Sequence, residues 1–304
     1  MMVLSYHIPV LLNESIEGLN IKPNGIYVDL TMGGAGHSSE ILNHLSSQGR
    51  LYAFDQDPQA AGNIPDDERI VFINHNFRFF INYLRYYGVN AVDGIMADLG
   101  VSSFHFEGAG KGFSFKQNDI LDMRMSPETK MDARDVINES SEEELTGIFR
   151  HLGELKNARK IAAIIVSVRT KQPVERVFDL TGMIHHLAPK NAENKFFAKV
   201  FQAIRIAVNH EIHNLKQMLL QVPKILKDDG RFVVISYHSL EDRLAKNFIK
   251  TGNFGGDESK DLLYGASSAP MRPVNKKVIV PGEQEILKNN KARSAKMRIA
   301  EKNP

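Results

Sequence analysis

The sequence contains no cysteine. This absence excludes disulfide bonds, metal sites with cysteine ligands, and every mechanism that needs a thiolate nucleophile. No apolar run approaches the roughly 18 residues that a membrane-spanning helix requires. The first residues, MMVLSYHIPVLLNES, also lack the basic region and small-residue cleavage site of a signal peptide. We therefore expect a soluble, cytoplasmic protein that does not contact a membrane.

A large excess of one charge is also absent, since the formal net charge of the 304 residues is +2. Basic residues are nevertheless concentrated between 156 and 176 and again between 272 and 302. Such patches attract polyanions, although a solvated helix face and a solvated chain end have the same composition. The candidate residues for binding a polyanion such as RNA are Arg159, Lys160, Arg169, Lys291, Arg293, Lys296 and Arg298.

Short β-branched segments alternate with helical patterns over the first hundred residues. Strands are predicted at 25–31, 49–57, 69–77 and 92–100. This alternation indicates a doubly wound, mostly parallel sheet. Helical patterns then dominate 132–220, and a further strand is predicted at 228–239. We therefore predict an α/β domain formed by 1–107 and 206–304, interrupted by a helical insertion at 108–205.

A glycine-rich loop follows the first predicted strand, in the stretch VDLTMGGAGHSSEIL (28–42). It is not a P-loop, because His37 follows Gly36 where that motif requires lysine. It matches the dinucleotide fingerprint poorly, since Gly34 and Gly36 have the right spacing but Ser39 occupies the third glycine position. The loop is better suited to a nucleoside with a small polar tail than to a ligand with a pyrophosphate.

Three of the predicted strands end in an acid: Asp29, Asp55 and Asp98. In a doubly wound sheet, ligands bind outside the carboxyl ends of the strands. Asp55 is placed to accept hydrogen bonds from two ribose hydroxyls, and Asp29 is near enough for an ammonium group. S-adenosylmethionine fits this pattern. Asp98 has two interpretations, because it can cap the turn that follows it or accept a hydrogen bond from an exocyclic amine.

Over nearly its whole length the sequence resembles the bacterial cytosine-N4 methyltransferases of small-subunit ribosomal RNA, the MraW or RsmH family. The resemblance is carried by HIPVLLNES (7–15), DLTMGGAGHS, FDQDPQA, DGIMADLGVSS, GFSFKQNDILDMRM, FQAIRIAVNHEI, ISYHSLEDRLAKNF and KARSAKMR. It implies a Rossmann-like class I methyltransferase core with an inserted all-helical substrate-recognition domain. It also implies S-adenosylmethionine as cofactor, no metal, and methylation of a decoding-region cytidine of 16S ribosomal RNA within the small ribosomal subunit.

The residue pattern and the resemblance together define the candidate site. Predicted cofactor contacts are Asp29, Gly34, Ala35, Gly36, His37, Asp55, Phe77, Asp98 and His105. The catalytic candidates are Asp98, which would orient the amine, and the secondary candidates Ser102 and Ser103. The sequence departs from the family pattern at FHFE (104–107), which places His105 at a glutamine position, and at Tyr237, where phenylalanine is usual. We interpret these departures as changes on the RNA side.

Two functions from other classes compete with this interpretation. A nicotinamide-dependent oxidoreductase would use Asp55 on a ribose, but its glycine fingerprint is imperfect. A non-catalytic RNA-binding protein would explain the basic patches but not the strand-end acids, which repel phosphate. The HSLED motif is too local for a hydrolytic triad, so we predict that Ser239 caps a helix, with a polar wall of the active site as the alternative. In LDMRM, Asp122 and Arg124 could form a buried pair or contact RNA.

Overall fold

The computed structural model describes residues 9–100, 110–257 and 269–303. The described chain forms two compact units. The first unit consists of the described residues up to Gly100 and from Ile212 onward, and the second consists of those between them, up to Glu211. No helix within the described ranges has the length and apolar character needed to cross a bilayer.

The first unit is built on a sheet of seven strands, counted over the described residues. They are β1 (Ile26–Asp29), β2 (Arg50–Asp55), β3 (Ile70–Asn74), β4 (Val92–Asp98), β5 (Leu226–Ser236), β6 (Met271–Pro273) and β7 (Lys296–Lys302). Their order is β3-β2-β1-β4-β5-β7-β6. The pairs from β3 to β5 are parallel, and β7 is antiparallel to both of its neighbours. The predicted α/β, mostly parallel fold class is confirmed.

Helices cover both faces of this sheet. The helices of this unit are α1 (Leu12–Leu19), α2 (Gly36–His44), α3 (Phe80–Tyr86), α9 (Glu211–Ile225, which contributes from Ile212), α10 (Ser239–Thr251) and α11 (Glu283–Lys288), and the last has no buried residue. Successive strand residues point to opposite faces, so Phe232 and Val234 join one core cluster while Val233 and Ile235 join the other. Because both faces of the sheet are buried at β5, the FVVI stretch of this strand (232–235) is a continuous apolar run.

In the described residues of the second unit, the regular secondary structure is helical apart from an isolated bridge between Ile120 and Arg176, and 110–132 is irregular. Its helices are α4 (Ala133–Glu139), α5 (Glu142–Gly147), α6 (Ala158–Arg169), α7 (Val177–Ile184) and α8 (Glu193–Val208). They enclose a core that includes Phe149, Ile161 and Ile204. The predicted end of the insertion at 205 falls inside α8, whereas the division between the units follows that helix, at Glu211.

The LDMRM segment forms a fixed loop of the second unit. Asp122 and Arg124 make a half-buried ion pair of 2.7 Å. Met123 between them is buried and has a φ of 59°, a left-handed backbone conformation that is rare for residues other than glycine. The Asn209 side chain holds this backbone by donating to the Met123 carbonyl at 2.8 Å and accepting from the Met125 amide at 2.9 Å. Of the two alternatives for Asp122 and Arg124, a buried pair or a contact with RNA, the structure shows an intramolecular ion pair.

Candidate cofactor and active site

The loop between β1 and α2 is tightly turned. Gly33 and Ala35 have φ values of 49° and 59°, and Gly34 between them is exposed. A Cβ added to Gly36 would lie 2.9 Å from Cγ of Pro9, so the first residue of α2 has to be small. The predicted turn is present. It presents backbone rather than side chain at Gly34, which fits close approach of a nucleoside ligand.

Asp29, the last residue of β1, is 1% exposed. Its carboxylate accepts hydrogen bonds from the Ser38 hydroxyl at 2.7 Å and the Thr31 amide at 3.0 Å. Burial raises the pKa of this carboxyl, and the charge of Asp98 adds to the increase. Asp29 therefore fixes the loop and the start of α2, and its contact with a cofactor ammonium stays a prediction.

Asp55 stands at the end of β2, beside the same loop. One carboxylate oxygen accepts from the Gly33 amide at 2.9 Å and the other from the Asp57 amide at 2.8 Å. Each oxygen keeps a further lone pair, so the side chain can also accept from the two hydroxyls of a ribose. Burial raises the pKa of Asp55 to about 6. The two acceptor oxygens and their position fit the sugar hydroxyls of S-adenosylmethionine.

Two other predicted cofactor contacts, Phe77 and His37, differ in how far their side chains are buried and in what they contact. Phe77 is half-buried in a 3-10 turn directly after β3, next to the strand that carries Asp55. The preceding residue, Asn76, donates to the Gln56 side chain at 2.7 Å and so ties this turn to the end of β2. His37, in contrast, is buried, and its Nε2 lies 3.1 Å from the Val10 carbonyl. The contact of Phe77 with an adenine stays a prediction, whereas the His37 imidazole is engaged within the fold.

Asp98 ends β4, the strand on the other side of β1. Its backbone amide donates to the Thr31 hydroxyl at 2.7 Å, which links the two strand ends. Its carboxylate is close enough to Asp29 to raise the pKa of that residue. The structure therefore brings the acids of three strands to one edge of the sheet. The other catalytic candidates, Ser102 and Ser103, and the proposed contact His105 lie outside the described residues.

Tyr237 also belongs to this edge, although the sequence did not identify it as a site residue. It follows β5 directly, and its ring lies where the chain leaves β4, because a Cβ added to Gly100 would lie 2.7 Å from the Tyr237 ring carbon Cε2. Burial raises the pKa of the Tyr237 hydroxyl, and the charge of Asp98 adds to the increase. The interpretation of this residue as a change on the RNA side stays a prediction. The helix that follows also begins one residue earlier than predicted, because His238 rather than Ser239 occupies the N-cap of α10.

The candidate RNA-binding residues divide into two groups. Arg159 and Lys160 are exposed in the first turn of α6, beside an open surface cavity of about 570 Å³. Lys291 and Arg293 are exposed in the turn Asn290–Ser294. The other three make contacts within the fold: Arg169 donates to the Ile137 carbonyl at 2.6 Å, and Lys296 and Arg298 lie 3.4 Å and 2.8 Å from the Asp242 carboxylate.

The strand arrangement separates this protein from dinucleotide-binding enzymes, whose sheet continues in the order 3-2-1-4-5-6. Here an antiparallel β7 lies between β5 and β6. Together with a lysine-free loop and the strand-end acids, this arrangement defines a Rossmann-like methyltransferase. The chain belongs to the MraW methylase family, whose model matches residues 4–303. Family membership confirms S-adenosylmethionine as the predicted methyl donor and rules against the oxidoreductase and the non-catalytic RNA-binding protein.

Curated relatives match the chain over nearly its full length. The protein named ribosomal RNA small subunit methyltransferase H of Parabacteroides distasonis is 51% identical over 298 residues, which cover 98% of this chain and 97% of that relative. The protein of the same name from Flavobacterium johnsoniae is 50% identical over 299 residues, 98% of each chain. A solved rRNA methylase from Streptococcus thermophilus aligns over 99% of this chain and 100% of its own, with 11% identity and a TM-score of 0.44.

Proposed function

We propose that this methylase transfers the methyl group of S-adenosylmethionine to the exocyclic N4 amine of a cytidine in the decoding region of 16S ribosomal RNA. The names of the relatives, which are about half identical to this chain, support a small-subunit ribosomal RNA substrate. The position of Asp98 at the end of β4, beside Asp29 and Thr31, is the observation that carries the proposal for an amine acceptor. The reaction would take place in the cytoplasm, on RNA within the small ribosomal subunit.

The chain's own residues suit a direct transfer. S-adenosylmethionine, held by Asp55 and the glycine-rich loop, would supply a methyl group on a positively charged sulfur, and a neutral thioether would remain once the lone pair of the amine nitrogen has taken the methyl group. Asp98 accepts a hydrogen bond from the amine, aims that lone pair, and receives the proton that the nitrogen loses. Methylation of cytosine at carbon 5 ordinarily requires a cysteine that adds to the ring. The chain has no cysteine, so a route through a thiolate adduct is closed.

The product of the reaction tests this proposal. With small ribosomal subunits or their RNA and isotope-labelled S-adenosylmethionine, we expect label in N4-methylcytidine after digestion to nucleosides. RNA that contains 5-fluorocytidine should be methylated normally and should leave no protein–RNA adduct. A methyl group on carbon, or a stable adduct with the fluorinated RNA, contradicts direct transfer to the amine.

RNA binding is predicted to depend on the exposed basic residues rather than on those paired with Asp242. Reversal of Arg159 and Lys160 to Glu should weaken RNA binding about tenfold or more and should reduce the dependence of affinity on salt, because fewer counterions are released from the RNA. Affinity for S-adenosylmethionine should stay unchanged. Fluorescence anisotropy at several salt concentrations measures both quantities for RNA.

The matched control is Arg85→Glu, a charge reversal at an exposed position of α3. It should leave RNA affinity within twofold of the unmodified protein. An equal loss in the control and in the double variant would show a response to net charge alone, and the assignment of Arg159 and Lys160 to the RNA surface would be withdrawn. Arg298 is unsuitable for this test, since its reversal would also break the ion pair with Asp242.

A further inference from the structure

The chain segment before α1 lies against the start of α2. The ring of Pro9 packs on Gly36, since a Cβ added to that glycine would lie 2.9 Å from Cγ of Pro9. The next residue, Val10, has its carbonyl oxygen 3.1 Å from Nε2 of His37. A carbonyl can only accept, so this imidazole nitrogen carries a proton and donates it. The segment 9–11 therefore contacts both of the residues that begin α2.

Leu11, the last residue of this segment, has a left-handed backbone with a φ of 53° and a ψ of 40°. This conformation is unfavourable for a residue as large as leucine and persists only where the surroundings hold it. The Leu11 side chain is fully buried, and its carbonyl accepts from the Ser15 amide at 2.9 Å. Its amide donates at 2.8 Å to the carboxylate of Glu285, which lies 274 positions away in the sequence. A distant acidic residue therefore helps to hold this strained position.

Glu285 belongs to α11, a helix of six residues without a buried residue. A helix this short is not stable in water by itself, so contacts with the rest of the first unit determine its place. The Glu285 side chain is half-buried, whereas Glu283 and Gln284 before it are exposed. Glu285 thus joins the C-terminal part of the chain to the segment that packs on the start of α2, where the glycine-rich loop ends.

We propose that Glu285 is a positioning residue for the cofactor site. By accepting from the Leu11 amide, its carboxylate keeps the segment 9–11 against Gly36 and His37. This packing in turn keeps the glycine-rich loop in the conformation that binds S-adenosylmethionine. The inference rests on the predicted cofactor contacts in that loop and adds a residue from the other end of the chain. Glu285 acts through Leu11 and not on the cofactor itself.

Glu285→Ala is expected to raise the Kd for S-adenosylmethionine about tenfold, because the Leu11 amide loses a charged acceptor and the loop loses a support. Titration calorimetry on the protein without RNA measures this change. The KM for S-adenosylmethionine should rise with the Kd, while kcat at saturating cofactor stays within about twofold. Glu285→Gln keeps an acceptor oxygen for the amide, so its Kd should stay within about threefold of that of the unmodified protein. An unchanged Kd in Glu285→Ala, or an equal loss in Glu285→Gln, contradicts the inference.

Two control variants separate this effect from others. Glu283→Ala removes the same charge from an exposed position in the first turn of the same helix. Tyr27→Phe removes another side-chain acceptor of a backbone amide, since the Tyr27 hydroxyl accepts from the Lys22 amide at 2.7 Å near the start of β1, whereas the loop follows the end of that strand. Both variants should bind S-adenosylmethionine within about twofold of the unmodified protein. A tenfold loss in either would reflect net charge or general loosening of the fold and would overturn the inference.

Hydrogen exchange locates the change within the chain. In Glu285→Ala, the amides of 10–16 and 33–42 should exchange faster than in the unmodified protein, while those of β3 should keep their rates. Unchanged exchange in both segments would show that Glu285 does not hold them, and the inference would be withdrawn. These measurements need no RNA, so they can fail while N4-methylcytidine is still formed. A methyl group found on another atom would contradict the proposed function and leave the role of Glu285 standing.

Discussion

Asp98→Asn is expected to lower the rate of methyl transfer by about a hundredfold or more, the range typical of a lost general base. The amide has nearly the size of the carboxylate, and the backbone hydrogen bond from Asp98 to the Thr31 hydroxyl does not involve the side chain. The local fold should therefore persist. The asparagine side chain can no longer receive the proton from the amine or orient the lone pair of the amine nitrogen. Orientation of the reacting groups can contribute a large part of the rate enhancement.

Single-turnover kinetics at saturating S-adenosylmethionine measures this effect without interference from a weaker cofactor complex. RNA affinity should change less than threefold. Asp67→Asn serves as the control, because Asp67 is paired with Arg69 in the connection between β2 and β3, away from the strand-end acids. A full rate in Asp98→Asn, or an equal fall in Asp67→Asn, would remove Asp98 from the chemistry.

Asp55→Ala is expected to weaken S-adenosylmethionine binding by about 2–3 kcal/mol, the scale of hydrogen bonds to a charged group. Two consequences contribute, since the ribose hydroxyls lose their acceptor and the Gly33 amide loses the partner that holds the glycine loop. Asp55→Asn keeps an acceptor for the loop and should give a smaller loss. Titration calorimetry measures the affinity of both folded variants for S-adenosylmethionine. Unchanged affinity in Asp55→Ala would contradict the assignment of Asp55 to the ribose hydroxyls.

The pH dependence of cofactor binding follows from the same residue. The pKa of Asp55 is raised to about 6, so the side chain is ionised above that value and protonated below it. Only the ionised form accepts freely from both hydroxyls. Affinity should therefore be constant above about pH 7 and should fall, by up to about tenfold per pH unit, as the pH drops below 6. Asp55→Asn should lack this fall, whereas a flat profile in the unmodified protein would contradict the assignment.

The sequence alone predicted the parallel part of the sheet and the three acids at the carboxyl ends of its strands. Runs such as GIYVDLT and RFVVIS are apolar on both faces, and a turn or an acid follows each of them, so their local pattern is sufficient to indicate a buried strand. Asp29, Asp55 and Asp98 could be placed together for the same reason. The carboxyl ends of parallel strands lie at one edge of a sheet, so no long-range contact had to be known.

Two features were decided only by the tertiary structure. Lys296 and Arg298 were predicted to belong to a basic, RNA-binding chain end, a role that stays a prediction. The structure places them on β7, which becomes a strand by pairing with β5 and places Arg298 against Asp242. Its alternation of charged and apolar residues does not distinguish a solvated end from a strand whose charges have partners. The Tyr237 ring lies against Gly100, just beyond the end of β4, because β4 and β5 are neighbours in the sheet. Hydrogen bonding between segments far apart in the chain determined that pairing, and no local pattern encodes it.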